Sequence, residues 1–346
     1  NKSQGNWRMQ GNDSSFNSRN PFVTTQPPYH ALELEGDING PVTKKSSQFT
    51  DLYRESSTDS SIVDAVVLDS SLAQVPFTQT VPRTNSYTDY STRFDWQVGK
   101  VQTFTLRYHL EQETHGDGGV GQFALATQAY NSNSTEQVLQ FSDSQLYGVH
   151  LLNETRFQYI RDRDRQTPQN LTPTIVVQGG FTGGGSNQGL NNDAQDHYEL
   201  QNYVQSTRGK HTADFGIRIR DTRDANTSTA NFNGQYTFPS LTAYQITQQG
   251  RSQGWTPAQI RAAGGGASLF SQTSGTPAIV VNVFDAGLYA EDNWKVRKDL
   301  TLSYGMRFET QTQMPDHADW APRLGISWAI PHGKDKPPLA VIRSGF

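Results

Sequence analysis

The chain of 346 residues contains no cysteine, which excludes disulfides and thiolate metal sites. It has no run of about 20 consecutive apolar residues, so it encodes no helical membrane span. Basic charge is not in excess either: the net charge is −4 and the pI near 6.1, giving no bulk attraction to nucleic acid. The first residues, Asn1-Lys2-Ser3-Gln4-Gly5, show no charged region, apolar core or cleavage site of a signal peptide. Hydrophobic residues are only 34% of the total and mean hydropathy is −0.69. Low hydropathy does not argue against a membrane β-barrel, because its strands need an apolar side chain only at alternate positions.

That alternation is present. Leu300, Leu302, Tyr304, Met306 and Phe308 point one way, and Thr301, Ser303, Gly305, Arg307 and Glu309 the other. The preceding segment sets Phe284, Ala286, Leu288, Ala290, Trp294 and Val296 against Asp285, Tyr289, Glu291, Asn293 and Lys295. Tyr90, Thr92, Phe94, Trp96 and Val98 repeat the pattern before the turn at Gly99-Lys100, and Phe104, Leu106, Tyr108 and Leu110 after it. It recurs around Phe157 and Tyr159, through Ala213, Phe215, Ile217 and Ile219, and through Leu324, Ile326, Trp328 and Ile330. Segment 48–56 breaks the pattern by placing Asp51 in one row with Phe49 and Tyr53, and 136–148 alternates poorly. Such strands are long for a soluble sandwich, where roughly 5–6 residues is usual, and suit a tilted membrane strand of about 9–11 residues.

The connections differ by end. Short turns are expected at 39–47, Gly99-Lys100, 150–152, 208–210, 296–299 and 331–338, with long polar loops at 57–85, 112–135, 165–195, 221–279 and, shorter, 310–320. Alternating short and long connections put all short turns at one end, as in barrels with short periplasmic turns and long extracellular loops. Within the longest loop, Thr256-Pro257 followed by an apolar pair and Gly264-Gly265-Gly266 predicts a helix over 256–263. The Gly-rich runs at 179–189 and 264–266 lack a strand-to-helix setting and read as flexible loop. The fold class expected is all-β: an antiparallel transmembrane β-barrel.

Several phrases resemble a known family. Leu288-Tyr289-Ala290-Glu291-Asp292-Asn293-Trp294-Lys295-Val296, Leu300-Thr301-Leu302-Ser303-Tyr304-Gly305-Met306-Arg307-Phe308-Glu309 and Ala321-Pro322-Arg323-Leu324-Gly325-Ile326 resemble TonB-dependent outer-membrane receptors, closest to the Oar-like group. Gly40-Pro41-Val42 with Lys44-Lys45, Ser206-Thr207-Arg208-Gly209-Lys210-His211 entering Phe215-Gly216, Asn233-Gly234-Gln235-Tyr236-Thr237-Phe238 and Arg19-Asn20-Pro21-Phe22 agree. The last would follow a first barrel strand near 7–11. One departure concerns Gln48-Phe49-Thr50-Asp51-Leu52-Tyr53, where the family's second strand opens with an aromatic run. The resemblance implies that residues 1–346 form the N-terminal half of a barrel domain, roughly 12–13 of 22 strands, with the plug and the C-terminal strands elsewhere in a longer exported protein. It also implies import through a plugged barrel, energised by contact of the plug with the inner-membrane TonB complex. Further contacts would be outer-membrane lipid and lipopolysaccharide. Neither a cofactor nor a nucleic-acid partner is expected.

Candidate site residues fall in three groups. Arg161, Arg163 and Arg165, in Arg161-Asp162-Arg163-Asp164-Arg165, read as a gate for an anionic substrate or lipopolysaccharide phosphate, or as a solvated, self-compensating charge run. Arg218 and Arg220, with Arg93, Arg107, Arg156, Arg307 and Arg323, are expected to face the lumen near Asp95, Glu111, Glu154, Asp214 and Glu309. They would line a substrate path or pair with one another and the plug. Tyr244 and Trp255 could stack on a ligand ring or simply pack the loop. Trp96, Trp294, Trp328 and Tyr304 fit an aromatic girdle near the short turns. The histidines are scattered; His109 and His115 could approach a common metal but equally fill polar positions. No nucleophile–base pair, phosphate loop or metal cluster supports an enzyme. The competing functions are a plugless porin and a soluble secreted β-rich adhesin or carbohydrate-binding module.

Overall fold

The structure is a computed structural model that describes residues 2–19, 21, 26–333 and 337–346; the expected segment 19–22 and the turn at 331–338 lie partly outside them. The strands run in chain order as β1 (Gln4–Asp13), β2 (His30–Thr43), β3 (Ser46–Leu68), β4 (Gln74–Val98), β5 (Gln102–Gly118), β6 (Tyr130–Tyr147) and β7 (Leu151–Pro168). Then come β8 (Thr174–Val177), β9 (Phe181–Gly184), β10 (Asn191–Arg208), β11 (His211–Ser228) and β12 (Gln235–Phe238). Two helices, α1 (Leu241–Ser252) and α2 (Pro257–Ala262), precede β13 (Leu269–Ser271), β14 (Ala278–Arg297), β15 (Leu300–Gln311), β16 (Asp319–Ile330) and β17 (Ala340–Gly345). Among the described residues, no helix is long and apolar enough to cross a membrane.

Thirteen strands form one antiparallel meander in the order β1-β2-β3-β4-β5-β6-β7-β10-β11-β14-β15-β16-β17, which leaves β1 and β17 as edges. Pairing fixes the faces. Trp96 lies opposite Phe104, Phe94 opposite Leu106, Phe141 opposite Phe157, Ile217 opposite Leu288 and Met306 opposite Ala290, so the apolar rows join into one continuous face. That face is uncovered: Trp7, Met9, Leu106, Phe215, Leu288 and Leu324 are all exposed, and no second sheet packs on it among the described residues. A soluble sandwich would bury such a surface. Aromatics mark both margins. Near the short turns Phe104 stacks on Phe141 and packs tilted against Trp96, and His211 stacks on Trp294; toward the other end Tyr159 stacks on Tyr198, and Phe308 packs tilted against Trp320.

The pairing also explains the irregular segment 48–56. Leu52 lies opposite Tyr90 and Thr50 opposite Thr92, which puts the even positions on the apolar face. Phe49, Asp51 and Tyr53 therefore belong to the polar face, where the Asp51 carboxylate accepts a 2.6 Å bond from Ser91 Oγ. Asp51 conforms to the polar row; it is the two aromatics that depart from the pattern.

The short turns fall as expected, at 44–45, 99–101, 148–150, 209–210 and 298–299. The long segments differ from their expected form. Residues 57–85 are no loop: β3 and β4 run 23 and 25 residues and stay paired up to Leu68 opposite Gln74, with only 69–73 as turn. Asp69 caps that turn by accepting from the Ser71 hydroxyl and from the Ala73 and Ser71 amides, which holds its carboxyl below the usual range. Above Thr58, β2 no longer covers β3, and the free edge is taken by other loops through Asp64 N–H to Gln122 O (2.7 Å) and Val66 N–H to Gly180 O (3.3 Å). The loops share one apolar core, built from Val63, Ala65, Val120, Ala129, Val177, Phe181, Phe238 and Leu241. Val63 and Ala65 are in the polar-face row, so the loops fold across that face and cap it.

The helix expected over 256–263 is α2, closed by a capping box between Thr256 and Gln259. The run at 179–189 is ordered rather than flexible. It supplies part of the turn and the second strand of the β8–β9 hairpin, and the buried Gln128 amide donates to Gly183 O and Gly185 O at 2.8 Å each.

Candidate functional site on the polar wall

The polar face of the sheet holds the residues with chemical capability. Strand pleating brings Arg93 opposite Arg107, Gln158 opposite Glu199, Gln201 opposite Arg218 and Arg220 opposite Asp285, so β4 to β14 present one continuous charged wall. Most of these guanidinium groups are paired. Arg220 donates to both oxygens of Asp285 at 2.9 and 3.0 Å, Arg156 meets Glu154 at 2.7 Å, and Arg93 holds Asp95 at 2.9 Å while Thr105 donates to the same carboxylate. Arg307 pairs with Glu309, and Arg218 reaches that carboxylate at 3.9 Å. Arg107 forms no ion pair among the described residues.

Two adjoining troughs open on this wall. One, of about 450 Å³, is lined by Arg93, Arg107, Gln140, Arg156, Gln158 and Glu199. The second, of about 410 Å³, is lined by Arg156, Gln201, Tyr203, Arg218, Tyr289 and Arg307. Arg156 and Glu154 form the rim between them. Guanidinium, carboxylate and amide groups alternate along both troughs, which suits a polar ligand with donors and acceptors of mixed charge.

The sequence-derived candidates separate. Arg218 and Arg220 are on this wall as expected, both within ion pairs. Arg161, Arg163 and Arg165 sit inside β7 and not in a loop, in register with Gln137, Thr135 and Asn133 of β6, on the opposite, apolar face of the sheet. Tyr244 is unavailable for ligand stacking, because its ring packs edge-on against Phe181 and Phe238, and burial raises its phenol pKa. Trp255 is half-buried over Gly250 beside Ile260. Loop packing accounts for both aromatics.

His109 and His115 do not meet at a common point. His115 bonds Asn85 and Glu113, whereas His109 Nε2 lies 3.2 Å from Asp89. Asp89, His109 and Glu111 place one ligand atom each within 4.8 Å of one another, a set able to hold a divalent cation. Sequence reasoning missed Trp320, which extends the aromatic margin, and Gln128, whose amide organises the glycine hairpin. Trp320 could have been found from its place in the alternating row of β16; nothing local marks Gln128.

A wide meander with one lipid-like face, aromatic margins and a loop cap matches what family comparison finds. The family model "outer membrane beta barrel domain" matches residues 69–317, well over half of the chain. The chain belongs to this outer membrane β-barrel family. The barrel domain is thus an outer-membrane protein and not an enzyme, with its apolar face toward lipid, its polar face toward the lumen and its short turns periplasmic. No curated protein matches the chain. Among solved structures, the outer membrane transporter YddB from Escherichia coli is 12% identical with a TM-score of 0.55, over 88% of this chain and 36% of that one. The siderophore receptor PirA from Acinetobacter baumannii is 13% identical with a TM-score of 0.48, over 100% and 43%. The ferric enterobactin receptor of Pseudomonas aeruginosa, in a mutant form, is 12% identical with a TM-score of 0.47, over 95% and 42%. The chain spans well under half the length of each, and at 12% identity the likeness to the first is one of fold.

Proposed function

We propose that the barrel domain is the N-terminal half of a TonB-dependent outer-membrane receptor that imports a bulky, scarce nutrient. The observation that carries this reading is the width of the sheet: thirteen strands lie side by side and still do not close. Barrels of about 8 strands are filled by their own side chains, whereas 22-stranded ones enclose a lumen that requires a plug. The plug would belong to the rest of the protein and would take energy from the TonB complex. The loop cap over the lumen would admit substrate, and the troughs around Arg93, Arg107, Arg156, Arg218 and Arg307 would offer it donors and acceptors. Their mixed charge favours a polar cargo such as a ferric siderophore, an oligosaccharide or a peptide. The test is conductance of the full-length protein in a planar bilayer. A plugged receptor stays closed in buffer and conducts only when urea loosens the plug. Steady open conductance in buffer would mean a plugless porin and would refute the proposal.

A further inference from the structure

Lysine is distributed in this chain quite differently from arginine. Every lysine among the described residues lies at the end of the sheet that carries the short turns. Lys44 and Lys45 form the β2–β3 turn, Lys100 lies in the β4–β5 turn, Lys210 in the β10–β11 turn and Lys298 in the β14–β15 turn. Lys2 precedes β1 at the same end, where Gln4 pairs with Asn39, and Lys295 stands three residues ahead of Lys298. The connections at the other end, 69–73, 119–129, 169–190, 229–277 and 312–318, contain no lysine, and their formal charges are only Asp69, Arg251, Arg261 and Asp316.

These charges are not neutralised within the chain. Among the described residues no lysine forms an ion pair, and all of the turn lysines are exposed. Asp299 is the one carboxylate in the turns at 44–45, 99–101, 148–150, 209–210 and 298–299, and it is already engaged by Arg297 at 3.5 Å and by Trp328 Nε1 at 3.2 Å. The turn tips also stand clear of the lipid. From Trp96 to Lys100, and from Trp294 to Lys298, is roughly four residue steps at about 3.3 Å, which at a tilt of about 45° is a rise of about 9 Å. The tryptophans mark headgroup level, and the headgroup layer is only about 5–8 Å thick on each side, so the lysines project beyond it. Neighbouring tips are two strand widths apart, about 14 Å measured along the rim of a barrel so tilted.

We infer that Lys44, Lys45, Lys100, Lys210 and Lys298 form a periplasmic rim that docks the barrel on the carboxylates of peptidoglycan. An ammonium group on a flexible stem is a point charge without a preferred planar partner, so spaced lysines suit a repeating carboxylate polymer. A folded acidic protein fits less well. Its interface would need a continuous patch of roughly 800 Å² with a packed core, whereas these charges sit on separate two- or three-residue tips. Each contact is weak and exposed, and the rim gains by engaging several carboxylates of one polymer together. The inference rests on the short turns facing the periplasm and not on import, so a porin-like result in the bilayer would leave it standing.

The test is co-sedimentation of the full-length protein in detergent with purified peptidoglycan sacculi, native or with their carboxylates amidated. The parent should sediment with native sacculi, lose that binding as salt is raised, and bind amidated sacculi poorly. The variant K44Q/K45Q/K100Q/K210Q/K298Q should bind native sacculi on the order of tenfold more weakly or worse. Its heat-modifiable migration would show that the barrel is intact. R251Q/R261Q, which removes charge from the opposite end, should bind as the parent does. Equal binding by the intact lysine variant overturns the proposal, as does equal binding of the parent to amidated sacculi or an equal loss in R251Q/R261Q. A parent that ignores sacculi, with the lysine variant losing only affinity for phosphatidylglycerol micelles, would assign the rim to lipid phosphate and overturn it too. Should the fivefold variant fail to fold, K100Q/K210Q carries the test, with a fall of about threefold expected and none overturning it.

Discussion

At Gly216 the absence of a side chain is a packing requirement. Its directly paired neighbour on β14 is Tyr289, and a Cβ added to the glycine would fall on the Tyr289 ring. The glycine thus lets an aromatic ring lie along the lumenal wall, where Tyr289 lines the trough beside Arg307 and Arg218. G216V should expel the ring and cost about 1–3 kcal/mol of barrel stability, as overpacking does, with G216A costing less. Urea-induced unfolding of the full-length protein measures this; an unchanged midpoint for G216V would mean that Tyr289 does not occupy that space. The same scale separates arginines that look alike in sequence. Arg161 and Arg218 both sit in alternating polar and apolar surroundings, yet one parity step puts the first on the lipid side and the second in the lumen.

At the scale of elements, the β3–β4 hairpin supports the loop cap. Its membrane portion resembles the other strands, but its upper portion offers Val63, fully buried, and Ala65 to a core shared by four connections. V63D would bury an unpaired carboxyl there, at a cost of about 3 kcal/mol or more. The cap should then open locally, so that limited proteolysis of intact cells cuts within 119–129 and 169–190 while the barrel stays folded. Resistance equal to the parent would mean that the cap does not depend on this hairpin. The membrane strands were legible in the sequence because a half-buried strand writes its burial as period two. The hairpin extension was not: Ser56, Ser57, Thr58, Asp59, Ser60 and Ser61 are polar on both faces, and their pairing is held by backbone and by ion pairs such as Arg83–Asp59 at 2.7 Å. Nor was α1 legible, since Leu241-Thr242-Ala243-Tyr244-Gln245-Ile246 has only weak helical periodicity, and its start rests on the Ser240 cap. Of the candidate site, the lumenal arginines followed from alternation alone, whereas the fate of Arg161, Arg163 and Arg165 depended on how far β7 continues as a strand.

At the scale of the whole molecule, everything rests on one assignment of faces. Lumen, troughs and loop cap each follow from the even positions of β15 meeting lipid and the odd positions meeting the interior. The chain contains no cysteine, so single cysteines can be introduced into it without background. The direct measurement is oxygen accessibility of a spin label placed in turn at positions 302 to 309 of the full-length protein in lipid bilayers. The account predicts high accessibility at Leu302, Tyr304, Met306 and Phe308, and low accessibility at Ser303, Gly305, Arg307 and Glu309. A flat profile, or the opposite phase, would contradict it.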